Sequence, residues 1–295
     1  ELVSIRARLD TLIADQLQLS RVPLSISSYV DIDTKGLELD SLFGDVILRD
    51  TFINYREKSL QIDSISIKSL LEDNKRKLQL RSSFADVDLK GDFFYSSLFQ
   101  DLNRLATEFK LNISNEPDEL RTYYANKPKD GQDYSVYFQI NLYDINPVLA
   151  LAKLDLALSD NTSIQGIFSN GFTSKIQAFA QIDTATYQGK KFIHNEIEFS
   201  GSKIRDSTSV LAMLSISSAR QELSTVLKTK NLFSEAIWNK NHIDITLDVD
   251  QEGTTNIARV QSEIDFLTDS TRVKILPTRF QLLEKTWQIS QDNYI

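Results

Sequence analysis

Apolar residues recur at every second position along most of the chain. Leu24, Ile26, Val30 and Ile32 share one parity, as do Leu78 and Leu80, Val87 and Leu89, and Val136, Phe138, Ile140 and Leu142, with Ser, Gln, Asn, Asp or Lys between most of them. The period continues through Leu154, Leu156 and Leu158, then Ile176, Ala178, Ala180 and Ile182, then Ile193, Ile197 and Phe199. Ile243, Ile245, Leu247 and Val249 close the series, interleaved with His242, Asp244, Thr246, Asp248 and Asp250. Successive side chains of a strand point to opposite faces, so this pattern predicts strands with one apolar and one wet face. A wet face predicts antiparallel pairing, because parallel strands covered on both sides read as continuous apolar runs. Roughly eighteen strands are expected, with polar turns about every 8 to 12 residues, the spacing of a meander.

Helix signals are few. Residues 97–110 place Leu98, Phe99, Leu102, Leu105, Ala106 and Phe109 on one helical face, and Ser97 with Gln100 three residues on reads as a capping box. Asn146-Pro147 is a second start signal, with one or two turns expected before the strand pattern resumes. Residues 115–132 (NEPDELRTYYANKPKDGQ) have no period and two prolines, and read as a long exposed loop. Residues 1–20 are an uninformative lead-in; 21–145 and 146–295 read as successive stretches of the same sheet. No 20- to 50-residue period aligns, which disfavours solenoids and propellers. At about 4.8 Å per strand, eighteen strands in one ladder would run on the order of 85 Å. The expected fold is therefore either two stacked sandwiches or one long antiparallel meandering sheet curled into an apolar-lined trough, with one or two short helices.

Composition narrows the function classes. Forty-one acidic against 33 basic side chains give a net charge of −8, and no basic run exceeds Lys75 to Lys77, so nucleic acid is an unfavourable partner. Zero cysteines exclude disulfides, thiolate metal sites and a cysteine nucleophile, and suit an oxidising compartment. Nine glycines and five prolines leave the turns to Asn, Asp, Ser and Lys. No apolar run reaches 18 residues and the chain opens Glu1-Leu2-Val3-Ser4, so neither a span nor a signal peptide is expected within it; an exported or anchored protein would hold this chain as an internal piece.

Chemistry-bearing motifs are sparse. His194 and His242 fall on the polar parity of their strands, which makes them solvent-facing rather than ligands. Asp31 with Asp33, and Asp86 with Asp88, are paired carboxylates on one strand face, an arrangement too common in this sequence to mark hydrolysis. No Gly-rich phosphate loop, G-x-S-x-G elbow or H-E-x-x-H occurs. The sequons at Asn112 and Asn161 read as turns, and Trp238 and Trp287 as core. No catalytic residue, metal ligand or cofactor is expected, and any functional surface is the apolar face as a whole.

The stretch GLELDSLFGDVILRDT (36–51), Asp63-Ser64-Ile65, and LRSSFADVDLKGDF (80–93) ahead of the amphipathic helix resemble the middle of TamB-type translocation and assembly module proteins of the Bacteroidota. WNKNHIDITLDVD (238–250), LPTRF (276–280), TWQIS (286–290) and DNYI (292–295) are similar to the closing strands of such a module, so the likeness runs from about residue 21 to the end. The resemblance implies a segment of a periplasmic protein, attached to the inner membrane through a part of the chain not present here and reaching the outer membrane. It also implies kinship with AsmA-like and bridge-like lipid transfer proteins, whose curled sheets are lined by apolar side chains. On that reading the chain is no enzyme. It conducts phospholipid acyl chains in outer-membrane biogenesis, with Val136, Phe138, Ile140, Leu142, Ile176, Ile182, Ile243, Ile245, Leu247 and Val249 lining the groove. The alternative is a scaffold whose sheet edge pairs with an outer-membrane barrel of the assembly machinery.

Overall fold

The computed structural model describes residues 2–13, 23–36, 38–41, 43–55, 58–128 and 131–290. The strands in chain order are β1 (Leu2–Ile13), β2 (Leu24–Lys35), β3 (Phe43–Tyr55), β4 (Lys58–Glu72), β5 (Lys75–Ser82), β6 (Ala85–Gly91), β7 (Tyr134–Leu142), β8 (Leu156–Leu158) and β9 (Thr162–Asn170). They continue as β10 (Thr173–Tyr187), β11 (Lys190–Ile204), β12 (Val210–Glu222), β13 (Lys228–Asn239), β14 (His242–Gln251), β15 (Ile257–Phe266), β16 (Thr271–Ile275), β17 (Thr278–Leu282) and β18 (Lys285–Ile289). Helices α1 (Tyr95–Ser114) and α2 (Pro117–Asn126) fall between β6 and β7, and α3 (Asn146–Leu151) follows β7. Among the described residues, sixteen strands form one antiparallel sheet whose order follows the chain from β1 to β16, β8 pairing with β10 beside the main path, and the sheet does not close. The expected mainly β meander is what the chain forms, and the two-sandwich alternative is excluded. β1 occupies most of the stretch read as an uninformative lead-in, and the closing residues 291–295 lie outside the described residues.

Turns confirm the reliance on Asn and Asp. Asp73 (φ 53°) and Asn74 (φ 61°) both take the left-handed region between β4 and β5, the geometry that two-residue hairpin loops require. Gln188 and Gly189 do the same between β10 and β11. Asp50, at φ 48° inside β3, sits where the register against β2 shifts between Ser27 and Tyr29. This bulge explains why the apolar parity of β3 changes phase from Val46 and Leu48 to Thr51 and Ile53.

Two compact units divide the chain: residues 1–96 with 136–164, and residues 97–135 with 165–295. In the first, Asp40 holds the start of α1, its carboxylate accepting the Ser96 backbone N–H at 3.0 Å and the Ser96 hydroxyl. Partial burial works against ionisation of Asp40. The Ser96 hydrogen bonds and the Arg76 charge nonetheless hold its carboxyl below the usual range. The cap expected at Ser97 is thus supplied from 56 residues away, and Ser97 lies inside the helix. Asn146 likewise opens α3 without capping it; its amide exchanges two 2.9 Å hydrogen bonds with the backbone of Leu158, fixing the short β8 beside the helix.

In the second unit the stretch read as a loop, 115–132, contains α2. Pro117 in its first turn has no N–H to leave unsatisfied, and Asp118 and Glu119 favour the positive helix end. No residue of α2 is fully buried, which is why an apolar period was missing. The buried stripe of α1 also differs from the expected one. Tyr95, Leu98, Asp101, Leu105 and Glu108 are buried, whereas Phe99 is 59% exposed, so two of the five buried residues are carboxylates.

Candidate functional site

Strand register converts the alternation into rungs. In the first unit, Ile5 pairs with Ile32, Ile32 with Val46, Val46 with Ile67, Ile67 with Leu80, Leu80 with Val87 and Val87 with Ile140, an unbroken apolar row across seven strands. A neighbouring row runs Leu78, Leu89, Phe138. Directly paired residues share a face, so the rows form one apolar surface. None of the row from Ile5 to Ile140 is fully buried, and Ile5 is 44% exposed. At the strand ends of this unit a cleft of ≈ 640 Å³ opens among Leu2, Val3, Phe43, Leu70 and Leu71, with Lys35 on its wall; Val3 and Leu71 share the parity of the row, whereas Leu2, Lys35, Phe43 and Leu70 have the opposite one.

The second unit repeats the device with a difference. Ile176 pairs with Gly201, Gly201 with Ala212, Ala212 with Trp238, Trp238 with Ile243, Ile243 with Ile264 and Ile264 with Val273. Here the row is covered. Phe109 of α1 lies 6.1 Å from the Phe199 ring centroid and 5.9 Å from that of Trp238, and Val210, Ala212, Trp238 and Phe266 are a buried cluster. Gly201 permits the approach: a Cβ there would stand 2.9 Å from Cζ of Phe109.

Beside these rings the hairpin is held by charge. Glu108 on α1 and Lys203 on β11 have side chains 2% exposed, and Lys127, just after α2, 7%. Glu108 faces the Lys127 ammonium at 2.6 Å and that of Lys203 at 3.7 Å, and accepts the Tyr123 and Tyr124 hydroxyls at 3.2 and 3.3 Å. Both ammonium groups lie over the Tyr124 ring, Lys127 donates to the Arg205 carbonyl at 2.7 Å, and Lys203 donates to that of Ser207. A second knot joins Asp101 to the Tyr134 hydroxyl at 2.9 Å, the Asn170 amide at 3.0 Å and Arg104 at 3.1 Å.

Burial pushes the Lys203 ammonium down to about 8, against the pull of Glu108 and with help from Lys127. Burial and the Glu108 charge push the Tyr123 phenol up to about 12 and raise that of Tyr124 further. Below pH 8 both folded and unfolded chains hold the Lys203 proton, and stability is indifferent to it. Between about 8 and the ordinary lysine value of 10.5 only the unfolded chain binds that proton, so stability rises with pH. From the ordinary phenol value of 10.0 upward the folded chain retains tyrosine protons that the unfolded chain loses, and stability falls. The melting temperature of the second unit should therefore climb from pH 8 to a maximum near pH 10. In Lys203→Met that climb should be absent, and calorimetry across the range checks both statements.

The residues expected to line a groove fall in both units. Val136 is buried and Phe138, Ile140 and Leu142 half-buried on the apolar face of the first; Ile176, Ile182, Ile243, Ile245, Leu247 and Val249 are half-buried in the second. His194 stands at φ 52° within β11 with Nδ1 2.8 Å from Asp183. His242 lies between Asp265 at 2.7 Å and Asp244 at 3.1 Å, and hydrogen bonds to those two carboxylates raise its pKa. The acidic pairs are engaged on strands: Asp31 with Arg6 and Arg49, Asp86 and Asp88 with Arg81. Trp287 is 49% exposed on the β17–β18 hairpin, contrary to its expected place in a core. Asn112 is helical, its amide donating to the Glu108 carbonyl, whereas Asn161 is the left-handed turn residue its sequon reading implied. Sequence reasoning missed the Glu108, Lys127 and Lys203 cluster altogether; its members are far apart in the chain and form no local pattern.

Comparison with protein-family models, curated proteins and solved structures gives no match to this chain.

Proposed function

We propose that the chain is a segment of a TamB-type, periplasm-spanning protein that conducts phospholipids between the inner and outer membranes. The observation that carries this reading is the apolar row of the first unit: seven paired side chains without a polar interruption, none fully buried. An acyl chain laid along it gains about 0.8 kcal/mol for each CH₂ removed from water. Neighbouring rungs offer similar burial, so the chain can slide without a deep trap. The headgroup stays hydrated, and no reactive group is needed. The scaffold reading has its own observation, since β1 is an outer strand of the sheet order, twelve residues long, with Leu2 and Ile5 exposed; such an edge is a template for strand addition.

The test is the lipid content of the purified protein, by native mass spectrometry and thin-layer chromatography. Copurified phospholipid is expected, and Leu80→Asp and Phe138→Asp should lose it. On a half-open face the new carboxylate stays hydrated, so each substitution should cost only about 1–2 kcal/mol and leave a cooperative melt. Lipid-free wild-type protein that binds an outer-membrane barrel would favour the scaffold. Variants that unfold would make the row an ordinary core.

A further inference from the structure

The α1–α2 excursion leaves the sheet and returns to it at one point. Gly91, the last residue of β6, pairs with Val136 of β7, so the ladder of these two strands closes without residues 92–133. The excursion is therefore dispensable to the sheet's own hydrogen bonds. Within the second unit, α1 lays Phe109 on Phe199 and Trp238, covering an apolar row whose counterpart in the first unit has no fully buried member. Its other inward residues are Leu98, Leu105, the Asp101 knot and an unbalanced ionic cluster in which one carboxylate, Glu108, faces two buried ammonium groups. Two buried ammonium groups that share one carboxylate weaken the docked state, because the Tyr124 ring and the Arg205 and Ser207 carbonyls offset only part of their desolvation. At the α1–α2 junction the cover is also not flush. A cleft of ≈ 610 Å³ opens there between Leu120 and Tyr124 on one side and Phe266 and Leu267 on the other. Arg121 and Lys240 stand on its wall, and no carboxylate is among the residues that line it.

We propose that the α1–α2 hairpin is a displaceable cover over a second acyl-chain site, entered through this cleft by a lipid with an anionic headgroup. The site rests on the lipid-conducting reading above and adds to it that Phe199, Trp238, Ile243 and Phe266 are occupied by the protein's own helix until the hairpin lifts. Phe109 and an acyl chain compete for the same row. The anchor charges set how readily the helix yields. Glu108→Gln leaves Lys127 and Lys203 facing each other without a counter-charge and lifts the hairpin. Lys203→Met removes the excess cation at similar length and seats it more firmly.

The test follows lipid bound per chain by native mass spectrometry after incubation of the full chain with phosphatidylglycerol or phosphatidylcholine vesicles. Because the chain has no cysteine, Asn115→Cys with Ser270→Cys provides two unique thiols; the Asn115 amide already donates to the Ser270 carbonyl at 3.1 Å. A short bis-maleimide between them locks the hairpin down. Apparent affinity scales with the open fraction, so locking should weaken phosphatidylglycerol uptake at this site by about tenfold or more. Glu108→Gln should bind more lipid than wild type, Lys203→Met less, and phosphatidylcholine should bind less than phosphatidylglycerol. If locked and unlocked chains take up equal lipid that Leu80→Asp still removes, the cover is refuted and the first unit's groove stands. If no variant binds lipid, both readings fall. Should Glu108→Gln fail to fold, Lys203→Met decides: binding equal to or above wild type overturns the proposal.

Discussion

Trp238→Ala should lower the unfolding free energy by about 3–5 kcal/mol, against total stabilities of about 5–15 kcal/mol for ordinary domains. Trp238 is 7% exposed and central to its cluster, its ring 5.9 Å from both Phe109 and Phe266, with Val210 and Ala212 beside it. Truncation removes the transfer energy of the indole and leaves a cavity between a helix and a sheet, two layers that cannot collapse on each other without moving backbone. The indole also donates from Nε1 to the Lys240 carbonyl at 2.8 Å, and the Lys240 N–H donates to the Val210 carbonyl, tying the β13–β14 turn to the start of β12. Urea unfolding followed by circular dichroism checks the value. A loss below about 1 kcal/mol, within the ordinary range of surface substitutions, would mean that the cluster is not the core of this unit.

Asp101→Ala should cost a comparable amount, about 3–5 kcal/mol, the range for removing one partner of a buried ion pair. The carboxylate is 6% exposed and serves the Tyr134 hydroxyl, the Asn170 amide and the Arg104 guanidinium together. Without it the Tyr134 hydroxyl and the Arg104 charge lose their partner in a place that water does not reach freely. Asn170 retains its bond to the Gln132 carbonyl at 3.1 Å. Asp101→Asn keeps an acceptor for Tyr134 and loses only the charge facing Arg104, so it should recover part of the deficit. Equal losses for the two variants would show that charge alone matters at this position. Burial, the Asp101 charge and their hydrogen bond all raise the Tyr134 phenol. In Asp101→Ala the phenol should therefore ionise at lower pH than in the parent, which ultraviolet titration reads directly.

The strand faces were legible because side-chain direction in a strand depends only on residues two apart, and Val136 to Leu142 or Ile243 to Val249 carry that information within a few positions. Helix α1 was legible for the same reason at its own period, yet its inward stripe was misread. Phe99 and Ala106 were expected inside, whereas Asp101 and Glu108 are there, since a carboxylate is buried only when partners from elsewhere meet it. Helix α2 left two usable signals, Pro117 in the first turn and Asp118 and Glu119 beside it, which the absence of an apolar period outweighed. The start of α1 was placed within two residues, but its cap at Asp40 lies 56 residues upstream and has no local signature.

From its sequence alone this protein is an antiparallel meander with one apolar and one polar face, turned by Asn and Asp, without cysteine chemistry. These properties follow from composition and from spacings of two to four residues. Tertiary structure decided which rungs align, that the first unit's row is left half-open while the second unit's is covered by Phe109, and that Glu108 meets both Lys127 and Lys203. The reason is physical: register and burial are set by pairings between residues tens of positions apart, whose energies depend on what each strand or helix meets and not on what it is made of.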